Sequence, residues 1–92
     1  MREIIQSKQF KRDYKKVASS GRYAVNDVLT VVELLARDKP LLVKHRDHAL
    51  RGELAGYREC HIKPDLLSIY EKTNSEEQLL LVRIGSYSEL FS

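Results

Sequence analysis

Ninety-two residues, 42% hydrophobic and 32% charged, suffice for one small domain but not for two independent cores, and the balance excludes a disordered tail or a fibrous protein. No apolar run approaches the ~20 residues that span a bilayer, the start Met1-Arg2-Glu3-Ile4-Ile5-Gln6 lacks a secretory apolar stretch, and the lone Cys60 fits a reducing cytosol. Residues 1–46 carry eleven Lys/Arg against five Asp/Glu, and residues 47–92 five against eight, for a net +3. The expectation is a single cytoplasmic domain over residues 1–92 with no membrane association. Its basic front half suits a polyanion such as nucleic acid, although a Lys-rich helix is as often simply a solvated face.

The chain opens on a short strand candidate, Glu3-Ile4-Ile5 within residues 2–6. Ser7 is placed to cap a helix whose apolar positions Phe10, Tyr14 and Val17 fall four and three residues apart. Lys8, Lys11, Arg12, Lys15 and Lys16 cover the rest of that helix, and Gly21 ends it by adopting the left-handed conformation. A second helix is predicted from about Tyr23 to Arg37, with Val25, Val28, Leu29, Val32, Leu35 and Ala36 on one face and Pro40 blocking its extension. The two helices form a hairpin.

Past the loop Lys44-His45-Arg46-Asp47-His48, the hydrophobic period changes from 3.6 to 2. Leu50–Leu54 reads as a strand stopped near Gly56. In Tyr57–Lys63, Arg58, Cys60 and Ile62 alternate with Tyr57, Glu59 and His61. Pro64-Asp65 turns the chain into a strand over Leu66–Glu71, and Thr73-Asn74-Ser75-Glu76 is a further turn. The last strand, Gln78–Gly85, sets Leu80, Val82 and Ile84 opposite Leu79, Leu81 and Arg83, and a short tail follows. The expected class is α+β: an N-terminal short strand and helical hairpin packed on one face of a small curved, mainly antiparallel sheet. The other face is then open to a ligand.

One end of that sheet collects His61, Asp65 in the turn just after it, Arg83, His48 from the preceding loop, and Tyr87 and Phe91 from the tail. These residue types fit metal-free cleavage of an RNA phosphodiester. A base takes the 2′-hydroxyl proton, a cation stabilises the charged phosphorane, and an acid protonates the departing 5′-oxygen. Imidazole titrates near working pH, and guanidinium matches phosphate oxygens with a planar fork. Asp65 orients a histidine or is itself the base; residue types alone leave the base open among Asp65, His48 and His61. Each group also has an ordinary structural role open to it: Arg83 pairing with Glu59 across strands, Asp65 as a turn residue, Phe91 as a core plug, His45 as a solvated loop residue. Cys60 and His61 alternate to opposite faces and no second cysteine is present, so neither a metal site nor a cofactor is expected. The dispersed Gly52, Gly56 and Gly85 make no phosphate-cradling loop.

Three blocks carry a family likeness: Asp47-His48-Ala49-Leu50-Arg51-Gly52, then Gly56-Tyr57-Arg58-Glu59-Cys60-His61-Ile62-Lys63-Pro64-Asp65, then Arg83-Ile84-Gly85-Ser86-Tyr87-Ser88-Glu89-Leu90-Phe91. In this order and spacing they closely resemble the YafQ branch of the RelE toxin superfamily. The resemblance implies a type II toxin–antitoxin toxin that enters the A site of the 70S ribosome and cuts mRNA there, favouring in-frame, adenine-rich lysine codons. It implies a curved sheet with two packed helices, and a DinJ-like antitoxin that wraps the toxin and binds operator DNA with it. By motif position His48, His61, Asp65 and Arg83 match the family's active-site residues and Phe91 its functional aromatic. Lys8, Lys11, Arg12, Lys15 and Lys16, with Lys44 and Arg46, then become contacts to ribosomal RNA. Two positions depart from the pattern. Tyr87 stands where a histidine acid is usual, which assigns proton donation to a phenol, and Leu66 stands where tryptophan follows the aspartate. The rivals are a non-enzymatic gyrase poison of the related ParE type and an RNA-binding toxin attenuated by loss of the histidine acid.

Overall fold

In the computed structural model, which describes residues 1–75 and 77–91, the chain starts as a strand, β1 (Glu3–Gln6), and passes directly into helix α1 (Lys8–Ser20). Ser7 makes the junction. Its backbone is extended, and its hydroxyl accepts the Phe10 N–H at 2.9 Å while donating to the Val82 carbonyl at 2.7 Å. One side chain therefore caps the helix and fastens it to the sheet. Gly21 closes α1 at φ +72°, a conformation that costs a glycine little.

Helix α2 (Val25–Ala36) follows, with its stripe rotated from the expected one. Val28, Val31, Val32, Leu35 and Ala36 are buried, whereas Val25 is exposed and Leu29 is 53% exposed. The helix is apolar around most of its circumference, so period alone does not define the centre of the buried face. The core cluster joins this stripe and Phe10 to Cys60, Ile62, Leu66, Tyr70, Leu79, Leu81 and Ile84 of the sheet.

The sheet continues with β2 (His48–Ala49), β3 (Arg58–Lys63), β4 (Leu66–Thr73) and β5 (Gln78–Gly85), and the chain ends in a short helix, α3 (Tyr87–Phe91). Strand order is β1-β5-β4-β3-β2, with β1 parallel to β5 and the remaining pairs antiparallel. The strand expected over Leu50–Leu54 is instead a 3₁₀ turn at Gly52–Leu54, because Gly52 at φ +68° leaves the extended region. The paired segment lies earlier, at His48–Ala49. The tail is helical because Ser86 and Glu89 form a capping box: Ser86 Oγ accepts the Glu89 N–H at 3.2 Å and Glu89 Oε1 accepts the Ser86 N–H at 2.8 Å. The turn after β4 falls on Asn74 and Ser75; Glu76 lies outside the described residues.

Strict alternation in β5 fails at one place. Tyr70 pairs with Leu81 and Ile69 with Arg83, so Val82 is an extra residue in the ladder, a β-bulge. Leu79, Leu81 and Ile84 consequently share the core, while Arg83 moves to the face of Ile69, away from the helices. Beyond the end of β1, the outer edge of β5 is completed by α1. Leu81 O accepts the Ser7 N–H at 3.0 Å and the Ile84 N–H donates to Asp13 Oδ2 at 3.2 Å. Ser7→Ala removes both the cap and the Val82 contact, and should cost about 1–2 kcal/mol. Chemical denaturation would read this as a lower midpoint at unchanged slope; an unchanged midpoint would show that the junction is held by other contacts.

Candidate active site

A single row of paired residues crosses the sheet on the face away from the helices. His48 pairs with Glu59, Glu59 with Ile69, and Ile69 with Arg83; His61, two residues beyond Glu59 on β3, joins the same face. The register thus places both imidazoles, a carboxylate and the base of an arginine on one surface.

Glu59 is the centre of this group. It is only 5% exposed, and its Oε1 lies 3.5 Å from His48 Nε2 and 3.7 Å from His61 Nε2. These are electrostatic contacts rather than close hydrogen bonds. The other carboxylate oxygen, Oε2, is buried without a hydrogen-bond partner among the described residues. The Nδ1 atoms face backbone carbonyls, Arg46 O at 2.6 Å for His48 and Pro64 O at 3.4 Å for His61. A carbonyl only accepts, so Nδ1 is the donor in each of these two contacts. Both Nε2 atoms are turned toward one carboxylate.

The rings are braced from behind. Asp47, next to His48, accepts the hydroxyl of buried Tyr70 and Arg58 Nε at 3.3 Å. Burial first, and then the bond to Asp47, raises the Tyr70 phenol well above its ordinary value, so it stays a donor. His45 is not solvated as expected from the sequence: its Nδ1 lies 2.7 Å from the carbonyl of His61, which pins β3 at that residue. Cys60, on the core side of β3, is fully buried. Burial, followed by the Asp47 and Glu59 carboxylates, pushes its thiol up to about 12.

Arg83 does not pair with Glu59. Its Nε donates to Asp13 Oδ2 at 2.7 Å and its Nη2 to Asp13 Oδ1 at 3.1 Å. Asp13 is 7% exposed. Burial raises its pKa, but hydrogen bonds from Arg83, Gln9 and Ile84 outweigh burial and hold the carboxyl below its usual value. Asp65 is exposed in the turn after β3 and forms an ion pair with Arg22 at 3.0 Å; it is engaged away from the imidazoles. Tyr87 on α3 is 68% exposed, its ring centroid 5.0 Å from that of half-buried Phe91. Leu66 is buried in the core and lines a cleft of about 310 Å³ together with Asp13, Lys16, Arg22, Tyr23 and Glu89. Lys8, Lys11, Arg12, Lys15 and Lys16 of α1, and Lys44 and Arg46 of the loop before β2, are all exposed.

Two members of the site are absent from the sequence reading. Glu59 carries a readable signal, since Glu-x-His on a strand puts both side chains on one face. Asp13 does too, because it interrupts the apolar stripe of Phe10, Tyr14 and Val17, where a carboxylate needs a buried partner. Among the described residues, no group of three or more His, Cys, Asp or Glu is arranged to hold a metal ion.

The sequence matches the family model described as a bacterial toxin of type II toxin-antitoxin system, YafQ, over residues 2–92. It is 33% identical over 91 residues to the mRNA interferase toxin YafQ of Escherichia coli K12, covering 98% of this chain and 96% of that protein. The fold superimposes on a metal-bound toxin from Helicobacter pylori at a TM-score of 0.93, with 45% identity over 99% of this chain and all of the other. It also superimposes on a chain of the E. coli DinJ-YafQ complex at a TM-score of 0.86, with 32% identity and 100% of both chains covered.

The Cys60 thiol ionises too weakly to react while the sheet is intact. Alkylation by iodoacetamide at pH 8 should run at least about a hundredfold slower in the native protein than in denaturant, since a free cysteine titrates near 8.5. Equal rates would mean that the strand opens readily and that the burial behind the histidines is not maintained.

Proposed function

The chain belongs to the YafQ family of bacterial toxins of type II toxin–antitoxin systems, and from that membership we propose that it is an mRNA interferase that cuts transcripts on the 70S ribosome. Cleavage uses attack by the RNA's own 2′-hydroxyl. The observation that carries this reading is the pair of imidazoles, His48 and His61, sharing the buried Glu59 carboxylate on the same face as Arg83.

The chemistry follows from what each group does. An imidazole Nε2 of the His48–Glu59–His61 group takes the 2′-hydroxyl proton, because both rings keep Nδ1 occupied by a carbonyl and Glu59 stabilises the imidazolium that forms. Asp65 is the weaker base candidate, its carboxylate being committed to Arg22. Arg83 neutralises the phosphorane. Tyr87, exposed on α3, is free to reach the departing 5′-oxygen, and a phenol is protonated at neutral pH. Phe91 sets the Tyr87 ring by packing against it. No step requires a metal ion or other cofactor. The 2′-hydroxyl requirement confines the reaction to RNA.

The basic face of α1, with Lys44 and Arg46, holds ribosomal RNA phosphates while the histidine face meets the message. By likeness to the E. coli DinJ-YafQ complex, a DinJ-like antitoxin holds the toxin inactive and brings it to operator DNA. A ribosomal target places the protein in the cytoplasm. Paired imidazoles perform proton transfers that a gyrase poison does not need, which favours the ribonuclease over the ParE-type reading.

His61→Ala should lower cleavage of ribosome-bound mRNA by at least about a hundredfold at an unchanged melting midpoint. The wild-type products should carry 2′,3′-cyclic phosphate and 5′-hydroxyl ends. Wild-type rates from the variant, or products with 5′-phosphate ends, would reject the mechanism.

A further inference from the structure

We propose that Asp13, on α1, is the positioning residue that aims the guanidinium of Arg83 at the scissile phosphate. The inference rests on the ribonuclease reading above and extends it to a residue outside the histidine face.

The bulge at Val82 puts the base of Arg83 on the open face, and the side chain then reaches the sheet edge where α1 has replaced β1. There Asp13 engages it side-on, through Nε at 2.7 Å and Nη2 at 3.1 Å. A guanidinium has five N–H donors in a planar fork. The side-on pair uses the Nε–H and one Nη2–H, so the Nη1 pair and the second Nη2–H remain along the outer edge. That edge is the bidentate surface a phosphate needs.

Asp13 is itself held through both oxygens. Oδ1 also accepts Gln9 Nε2 at 3.1 Å and Oδ2 the Ile84 N–H at 3.2 Å, so each oxygen has two donors and the carboxylate is buried. A flexible arginine is thereby converted into a fixed one. The arrangement has a cost that identifies its purpose. An anion beside Arg83 weakens its attraction for phosphate in the ground state, so the pair gives up affinity and gains orientation. Orientation appears in the rate of the chemical step, not in binding.

Asp13→Asn keeps a carbonyl oxygen for the Ile84 N–H and removes the charge that holds Arg83. In single-turnover cleavage of mRNA on ribosomes, the maximal rate should fall by about tenfold to a hundredfold, while the half-saturating toxin concentration stays within about twofold or drops. In the Arg83→Ala background the same change should have no further effect on the rate. An unchanged maximal rate, a loss confined to half-saturation, or losses that multiply in the double variant would each overturn the assignment. If Arg83→Ala alone cuts at the wild-type rate, it is the role of Arg83 in the ribonuclease reading that fails. Where the amide variant does not fold, Asp13→Glu keeps the charge but shifts the carboxylate by one methylene. It should show the same rate loss at unchanged half-saturation, and full activity would overturn the proposal.

Discussion

The outer edge of β5 is the constraint on which the molecule depends. β1 covers that edge only as far as Leu81, and every backbone group beyond it would be left to solvent or buried without a partner. α1 and its cap supply what is missing: Ser7 for Leu81 and Val82, and Asp13 for Ile84. Because the helix substitutes for a strand, its position is fixed by hydrogen bonds as well as by the packing of Phe10, Tyr14 and Val17. The basic surface of α1 is consequently held in a set relation to the histidine face.

The same edge explains why Asp13 tolerates burial. A lone buried carboxylate costs several kcal/mol, and the domain buries two, Asp13 on α1 and Glu59 on β3. Asp13 is fully hydrogen-bonded and makes a stable joint. Glu59 has no hydrogen-bond partner for Oε2 among the described residues and turns Oε1 toward two imidazoles. Behind them, Asp47, Tyr70 and Arg58 tie the two-residue strand of His48 to the core, giving a short edge strand a fixed position it has too few ladder bonds to hold alone.

Much of this was legible in the sequence. The cap at Ser7, the spacing of Phe10, Tyr14 and Val17, and the alternation of β3 predict α1 and the side of the sheet on which His61 lies. Arg83 lies on the open face as expected, but strict alternation keeps Leu79 and Leu81 there with it; the bulge at Val82 instead leaves Leu79 and Leu81 in the core with Ile84, and no local residue preference marks a bulge of that kind. The stripe of α2 was misplaced because Val31 and Leu34 make the helix apolar on most sides, so only packing chooses the buried face. The strand expected at Leu50–Leu54 failed at Gly52, whose positive φ outweighs the apolar neighbours. The capping box Ser86-Tyr87-Ser88-Glu89 was available to be read and predicts α3 directly. Asp13 and Glu59 carry local signals, but their pairings do not: Arg83 is 70 residues from Asp13 and His48 is on the strand beside Glu59, and such pairings become visible only once the register is known.

In the proposed reaction the protein's side chains assist an attack made by the RNA on itself, with imidazole moving the proton and guanidinium taking the charge. A ribosome-bound message carrying one deoxynucleotide at the cleaved position tests this most directly, since it removes the attacking hydroxyl and leaves every protein contact in place. The linkage 3′ to the deoxynucleotide should stay intact while an all-ribose message is cut there. Cleavage of the deoxy-substituted linkage at an undiminished rate would contradict it.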